Sequence, residues 1–269
     1  MESNAAFTGS IPDNYDKGLG PVIFADYAAD MARLVAASGA KNVLEIAAGT
    51  GIATRRLRDL LAADARLTAS DLNPPMLEIA RAKFKPGESV DFQTADGCAL
   101  PFEDGAFDAV VCQFGVMFFP DKEAGYREAR RVLSPGGRYF FSVWDSFRYN
   151  RFARLTHEIV ASSFVENPPQ FYMTPFGHFA LDPIKEELTD AGFTDLRITV
   201  LSRAKEIAAP ADFARGLVYG NPMIDQIHAR GGVEPDALVS TLAAALKSEF
   251  GADPCRLPMQ AIMFEARRR

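Results

Sequence analysis

Residues 42–57 read NVLEIAAGTGIATRRL: an apolar run carrying an acid, a glycine turn, then helical spacing. Strand, glycine bend and helix in that order form a nucleotide-binding corner of an α/β sheet. The bend lets the backbone approach a ligand, and the helix start favours negative groups. Gly49 and Gly51 supply the bend. A dinucleotide loop of the form GxGxxG would place its third glycine at 54, where Thr54 stands, and that glycine is the one permitting close helix–strand packing. Glu45, shortly before the bend, would repel a pyrophosphate and would suit a cation.

The alternation continues outward to about residue 145. RLTASDL is a strand closing on Asp71, and Pro74 and Pro75 open a helix through MLEIARAKF. VDFQTAD is a strand closing on Asp96, and FDAVVCQF is apolar on both faces, as covered parallel strands are. DKEAGYREARRVL reads as a helix capped by Asp121 and stopped at SPGG, with RYFFSVWD as the next strand. Such repeats imply a parallel sheet with right-handed crossovers and ligands beyond the carboxyl ends of the strands. Glu45, Asp71 and Asp96 sit at three of those ends. Asp71 follows Gly51 by 20 residues, a spacing that suits acceptance of two ribose hydroxyls; the alternative is a helix cap. Asp96 can accept from an adenine amino group or can form an Asx turn before Gly97. Leu72 and Met76 flank that ring, although core packing accounts for Met76 equally well.

The chain has 269 residues, 48% hydrophobic and 24% charged, with a net charge of −6. The size fits one α/β domain with appended lobes, and the acidic balance disfavours nucleic acid and anionic membranes as partners. No apolar stretch approaches the ~20 residues of a membrane span, and the first residues lack the pattern of a signal peptide. Cys98, Cys112 and Cys255 have neither zinc-site nor disulfide spacing, so a reducing cytoplasm is expected. His157, His178 and His228 are scattered, and no metal site is expected.

The sheet pattern breaks at Ser146. Residues 146–182 carry six phenylalanines, Tyr149, Tyr172 and the turn NPPQ, and suggest a lid. Helix PIKEELTDAGF and strand DLRITVLSR resume the order over 183–205, 206–256 reads as a helical insertion, and MQAIMFEA within 257–269 is a last strand. Residues 1–40 form an N-terminal arm and helix ahead of the 41–145 core.

The segments VLEIAAGTGIAT, ASDLNPPML, and TADGCALPFEDGAFDAVVCQFGVMFF with LSPGGRYFFSVW resemble the successive motifs of class I S-adenosylmethionine-dependent methyltransferases. They are most similar to the ubiquinone/menaquinone-biosynthesis C-methyltransferase group. The resemblance implies a Rossmann-like fold of seven strands ordered 3-2-1-4-5-7-6, the last antiparallel, with helical lid insertions. It implies S-adenosyl-L-methionine as cofactor and S-adenosyl-L-homocysteine as product. Carried over, it places Glu45 at the loop or the methionine ammonium, with Ala47, Gly49 and Gly51 along the cofactor. Asp71 takes the ribose, and Leu72, Met76, Asp96, Gly97 and Cys98 frame the adenine. Gln113, Phe114 and Gly115 line the methionine end, and Tyr15, in a segment similar to an N-terminal lid, touches it. One departure is Ala47, where the family has glycine; a strand-end β conformation would tolerate its methyl.

The implied reaction moves a methyl group to an O, N or C atom of a small acceptor, which the phenylalanine density makes apolar or aromatic. His157 and His178 are the candidates for a general base, each with a structural role as its alternative. The aromatic segment reads equally as a lobe core or a homodimer face. Two rival functions remain at this level: an NAD-dependent oxidoreductase, which leaves Glu45 and the motifs of 96–145 unexplained, and a non-catalytic binding protein of the same fold.

Overall fold

The computed structural model describes residues 4–269. The first three residues of the expected N-terminal arm lie outside the described residues. Seven strands form one sheet: β1 (Asn42–Ile46), β2 (Arg66–Asp71), β3 (Asp91–Thr94), β4 (Phe107–Gln113), β5 (Leu133–Trp144), β6 (Phe193–Ile207) and β7 (Cys255–Arg268). Their order is β3-β2-β1-β4-β5-β7-β6. Strands β1 to β5 pair in parallel, and β7 runs antiparallel to both β5 and β6. The expected topology is therefore the observed one.

Period-two alternation with both faces covered explains the apolar strands. Ala109 and Val111 of β4 pack on one face with Val43, against Met31 and Val35 of α2 (Ala25–Ala37) and Leu57 of α3 (Ile52–Leu60). Val110 and Cys112 point to the other face with Leu44 and Ile46, in the larger core. That core also takes Tyr126 and Ala129 of α5 (Lys122–Val132) and Ile184 and Leu188 of α7 (Leu181–Asp190). Asp121 caps α5, its Oδ1 accepting from Ala124 N at 2.8 Å. The turn SPGG does not interrupt the chain, because β5 begins at Leu133 directly after α5.

Helix α4 (Pro74–Ala82) follows β2 and lies close to the glycine bend. Gly51, at φ 78°, caps α3 in the left-handed region, and a Cβ there would meet the Cβ of Ala80 in α4 at 2.8 Å. That glycine is required by its neighbour helix as well as by its backbone angle.

Two groups of helices roof the carboxyl ends of the strands. One is N-terminal: α1 (Ile11–Asn14) leads into a ten-residue π-helix, Tyr15–Phe24, which contains Pro21. The other is assembled from α6 (Arg151–Ser162), a short 3-10 turn at Phe171–Met173, α8 (Pro210–Tyr219), α9 (Met223–Arg230) and α10 (Pro235–Phe250). The groups touch backbone to backbone: a Cβ on Gly18 of the π-helix would stand 2.7 Å from the Cα of Gly216 in α8. Asp26 and Asp30 of α2 pair with Lys205 and Arg203 of β6, holding the N-terminal helices to the sheet edge.

Candidate functional site

Beneath this roof lies a cavity of about 520 Å³ at the carboxyl ends of the strands, within the size range of small-molecule sites. One end is polar and is built by the first three strands. Asp71, 6% exposed, turns its carboxylate inward from the end of β2. Its Oδ2 accepts from Gly49 N at 2.8 Å, and its Oδ1 accepts from Asn73 N at 2.8 Å. The carboxylate thereby shapes the glycine bend; Oδ1 also receives Asn73 Nδ2 at 3.3 Å, while Oδ2 keeps a second lone pair to offer a ligand. Burial raises its pKa, and the amide donors from Asn73 and Gly49 oppose that shift.

Leu72, 52% exposed, forms part of the same wall with Met76, Asp96 and Gly97. Asp96 does form the Asx turn, its Oδ1 accepting from Cys98 N at 2.8 Å, and it still lines the cavity. Cys98 is outside the cavity wall and directs its Sγ to Asp121 O. Gly51 is likewise absent from the wall, since it faces α4.

A recess of about 20 Å³ shares Tyr15, Phe24, Ala47 and Gln113 with the main cavity and reaches Glu45 and Thr50. Glu45 is 1% exposed, and its Oε2 has no hydrogen-bond partner among the described residues. Burial pushes its carboxyl up to about 8, the nearby Thr54 hydroxyl opposing and the Asp71 charge adding. Gln113 donates Nε2 to Phe24 O at 3.3 Å, while its buried Oε1 is also unpartnered. Two buried acceptors without donors beside one recess match a group rich in N–H, an ammonium above all.

Ala47 and Phe114 end β1 and β4 with φ 53° and 54°. The expected strand-end β conformation of Ala47 is therefore corrected: the chain is left-handed there, which strains a residue with a Cβ by about 1–2 kcal/mol. Its methyl also explains Gly115, where a Cβ would stand 2.5 Å from that of Ala47. The two strained residues follow adjacent strands and both line the cavity.

The other end of the cavity is aromatic. Phe114 stacks on Trp144 at 4.1 Å, and Trp144 on Phe176 at 5.7 Å. Tyr15 stacks on Phe24 at 4.9 Å, and Phe7 meets Tyr15 and Phe118 edge-on. Phe152, Phe171 and Tyr172 complete the lid side. Burial raises the Tyr15 phenol far above its ordinary range, with the Asp71 and Asp16 charges adding, so it stays protonated.

Neither candidate histidine reaches this chamber. His157 stacks on Phe147 at 5.8 Å, and His178 shares a 3.0 Å hydrogen bond with the Tyr126 hydroxyl. Burial and the Lys122 charge hold His178 down to about 4, so it is neutral at pH 7. Both lie outside the cavity wall, which the lid lines instead with Phe152, Phe171 and Phe176. Residues that sequence reading did not single out include Trp144, Asn73, Asn4 and Phe7. Trp144 ends β5, so the rule that selected the acids at strand ends would also have found it.

A family model described as a methyltransferase domain matches residues 44–141. A demethylmenaquinone methyltransferase of Thermus thermophilus is 48% identical over 99 residues, 36% of this chain and 44% of that protein. A ubiquinone/menaquinone biosynthesis C-methyltransferase of Hahella chejuensis is 38% identical over 100 residues, 36% of this chain and 40% of that protein. The chain thus spans less than half the length of these two curated relatives. A Haemonchus contortus phosphoethanolamine N-methyltransferase 2, solved with S-adenosyl-L-methionine, superposes with a TM-score of 0.59 at 18% identity, covering 97% of this chain and 57% of that one. At that identity the likeness establishes the fold. The dehydrogenase alternative finds no support among these matches, and the cofactor of the matched domain is S-adenosyl-L-methionine. Among the described residues, no helix is long and apolar enough to cross a membrane.

Proposed function

We propose that this chain, which carries a class I S-adenosylmethionine-dependent methyltransferase domain, moves a methyl group onto a small, largely apolar or aromatic acceptor. The observation carrying this reading is a cavity with a carboxylate-bearing end and an aromatic chamber, adjoined by an acceptor-lined recess. The residues fit the cofactor. In this reading Asp71 would take the ribose hydroxyls, Asp96 and Leu72 the adenine, and Glu45 and Gln113 the methionine ammonium, a reading supported by their positions in the cavity and its recess. Bound there, the cofactor supplies an electrophilic methyl group on a sulfonium.

The chain's own contribution is alignment and exclusion of water. Phe114, Trp144, Phe24 and Phe176 form a dry wall that confines a flat acceptor and leaves it few orientations. Electron-rich ring faces also suit a neighbouring positive centre. Among the described residues the ionisable groups in the wall are Asp71, Asp96, Lys122 and two tyrosines, the partly buried Tyr15 and the buried Tyr172, with no histidine among them. The acidic groups line the polar end, and among the described residues neither a histidine nor a further carboxylate joins the wall. An acceptor that is already nucleophilic near neutrality therefore fits best: an amine, a thiolate, or a phenol or enol of lowered pKa.

The printed names of the curated relatives point to quinone precursors as one acceptor class. The cytoplasm is the proposed location, and a homodimer remains the alternative use of the aromatic lid. The test combines calorimetric titration of S-adenosyl-L-homocysteine with release of that product from S-adenosyl-L-methionine across a panel of quinols, phenols and amines. Tight product binding with turnover of at least one apolar acceptor is expected. Absence of product binding overturns the reading, and binding without any turnover leaves the non-catalytic alternative in its place.

A further inference from the structure

Asn73 stands at the N-cap of α4 but does not cap it. The next two residues are Pro74 and Pro75, which have no N–H to satisfy, so the usual work of a capping side chain is largely absent. The Asn73 amide is turned elsewhere. Its Oδ1 accepts from Phe7 N at 3.1 Å, and its Nδ2 donates to Ala5 O at 3.0 Å. It thus grips the N-terminal strap the way a neighbouring strand would, through one donor and one acceptor. On its other side Nδ2 reaches Asp71 Oδ1 at 3.3 Å, and the backbone N donates to the same oxygen. The carboxylate placed for the ribose therefore sets the orientation of the amide that holds the strap.

The strap is also tied to the acceptor side. Asn4 donates Nδ2 to Thr174 Oγ1 at 2.7 Å and accepts from Gln226 Nε2 at 2.8 Å. Gln226 in turn accepts from the backbone of Gln170 and Phe171, the segment that carries the Phe171 ring into the chamber. Asn4, Ala5 and Phe7 all line the cavity, so this strap forms part of its wall between the two ends.

We infer that Asn73 is a latch: a positioning residue that closes the strap over the cavity and couples the ribose-binding carboxylate to the acceptor lid. This rests on the proposed cofactor site. Exchange of the cofactor product requires the strap to leave Asn73, so the latch sets how long the product stays bound. Asn73→Ala removes both hydrogen bonds to the strap, together with the Nδ2 contact to Asp71, without removing a cap. With each bond contributing a few-fold to tenfold, strap opening should rise about 30-fold.

Two measurements test it. Hydrogen exchange on the ligand-free protein reads the Phe7 amide, which should exchange about 30-fold faster in Asn73→Ala while the α4 amides and the melting temperature stay as they were. Stopped-flow release of S-adenosyl-L-homocysteine should accelerate by a similar factor. Unchanged Phe7 exchange overturns the latch, as does faster Phe7 exchange with unchanged product release. Loss of α4 protection would instead assign Asn73 a purely structural role. If the unaltered protein binds no product at all, the methyl-donor reading falls as well; binding with unaltered release defeats the latch alone.

Discussion

Changing Glu45 to Gln isolates a single buried charge and carries a pH signature in both stability and affinity. The side chain is 1% exposed with an unpartnered oxygen, and burial lifts its carboxyl from 4.5 to about 8. The folded value lies above the unfolded one. The group's contribution to stability is therefore complete below about pH 4.5 and is lost as pH rises to about 8. At about 1.4 kcal/mol per pKa unit, the whole shift corresponds to roughly 4–5 kcal/mol, falling by about 1.4 kcal/mol per pH unit between pH 5 and 7. Gln has the same shape and no charge, so the variant should lack that slope and should be the more stable protein at pH 8. A cation seated in the recess favours the ionised form. Well below pH 8, binding must then expel a proton, and affinity should rise about tenfold per pH unit from 6 to 7, where an α-amino group is still largely charged. Calorimetric titration of S-adenosyl-L-homocysteine at pH 6 and 7, in two buffers of different ionisation enthalpy, counts that proton. About one should be released by the unaltered protein and none by Glu45→Gln. Affinity that is level with pH, with no proton released by the unaltered protein, would refute the assignment of Glu45 to the ammonium.

Ala47→Gly removes the Cβ from a left-handed residue and should raise stability by about 1 kcal/mol, or a Tm gain of about 2–4 °C by calorimetry; an unchanged or lower Tm would show that the strain is relieved elsewhere. Asp71→Ala removes the acceptor for two ribose hydroxyls and the staple on Gly49, so product affinity should fall about 100-fold or more by titration, and a loss under threefold would remove Asp71 from the site. His178→Gln and His157→Gln should each leave kcat/KM within about twofold, because neither ring enters the cavity; a drop of about a hundredfold in either, the usual contribution of a general base, would restore that residue as the base.

Much of the sheet was legible because alternating and doubly apolar strands leave little freedom: FDAVVCQF could be buried on both faces only between covering helices. The acids at strand ends were legible for the same reason, since the topology fixes where strand ends go. Asp96 forms its Asx turn while still lining the cavity, and Asp71 lines the cavity with both oxygens engaged by backbone amides, the N-cap position of α4 falling on Asn73 rather than on Asp71. For the two histidines, residue type carries no direction, so the sequence leaves a base and a structural role side by side. On α6 and in the loop before α7, a shift of one or two residues decides between chamber and exterior, and the phenylalanines won the interior by hydrophobicity. The left-handed Ala47 broke a preference that sequence reading must assume. The Tyr15–Phe24 π-helix gives no usual period to detect, so Leu19 and Ile23, which it turns into the cavity, had no signal. Asn73 carried no signal of its own, and only the strap's path reveals its use.

The close approach of Gly18 and Gly216 means that the start of the chain and its late helical insertion are cut to one another's outline. Any attempt to re-target the acceptor by transplanting a lid from a related enzyme would have to carry both pieces together. A donor insertion bringing even an alanine at either contact would pry the two apart and flood the chamber, so exchange of the late segment alone should yield a leaky hybrid, whereas the paired graft keeps its seal.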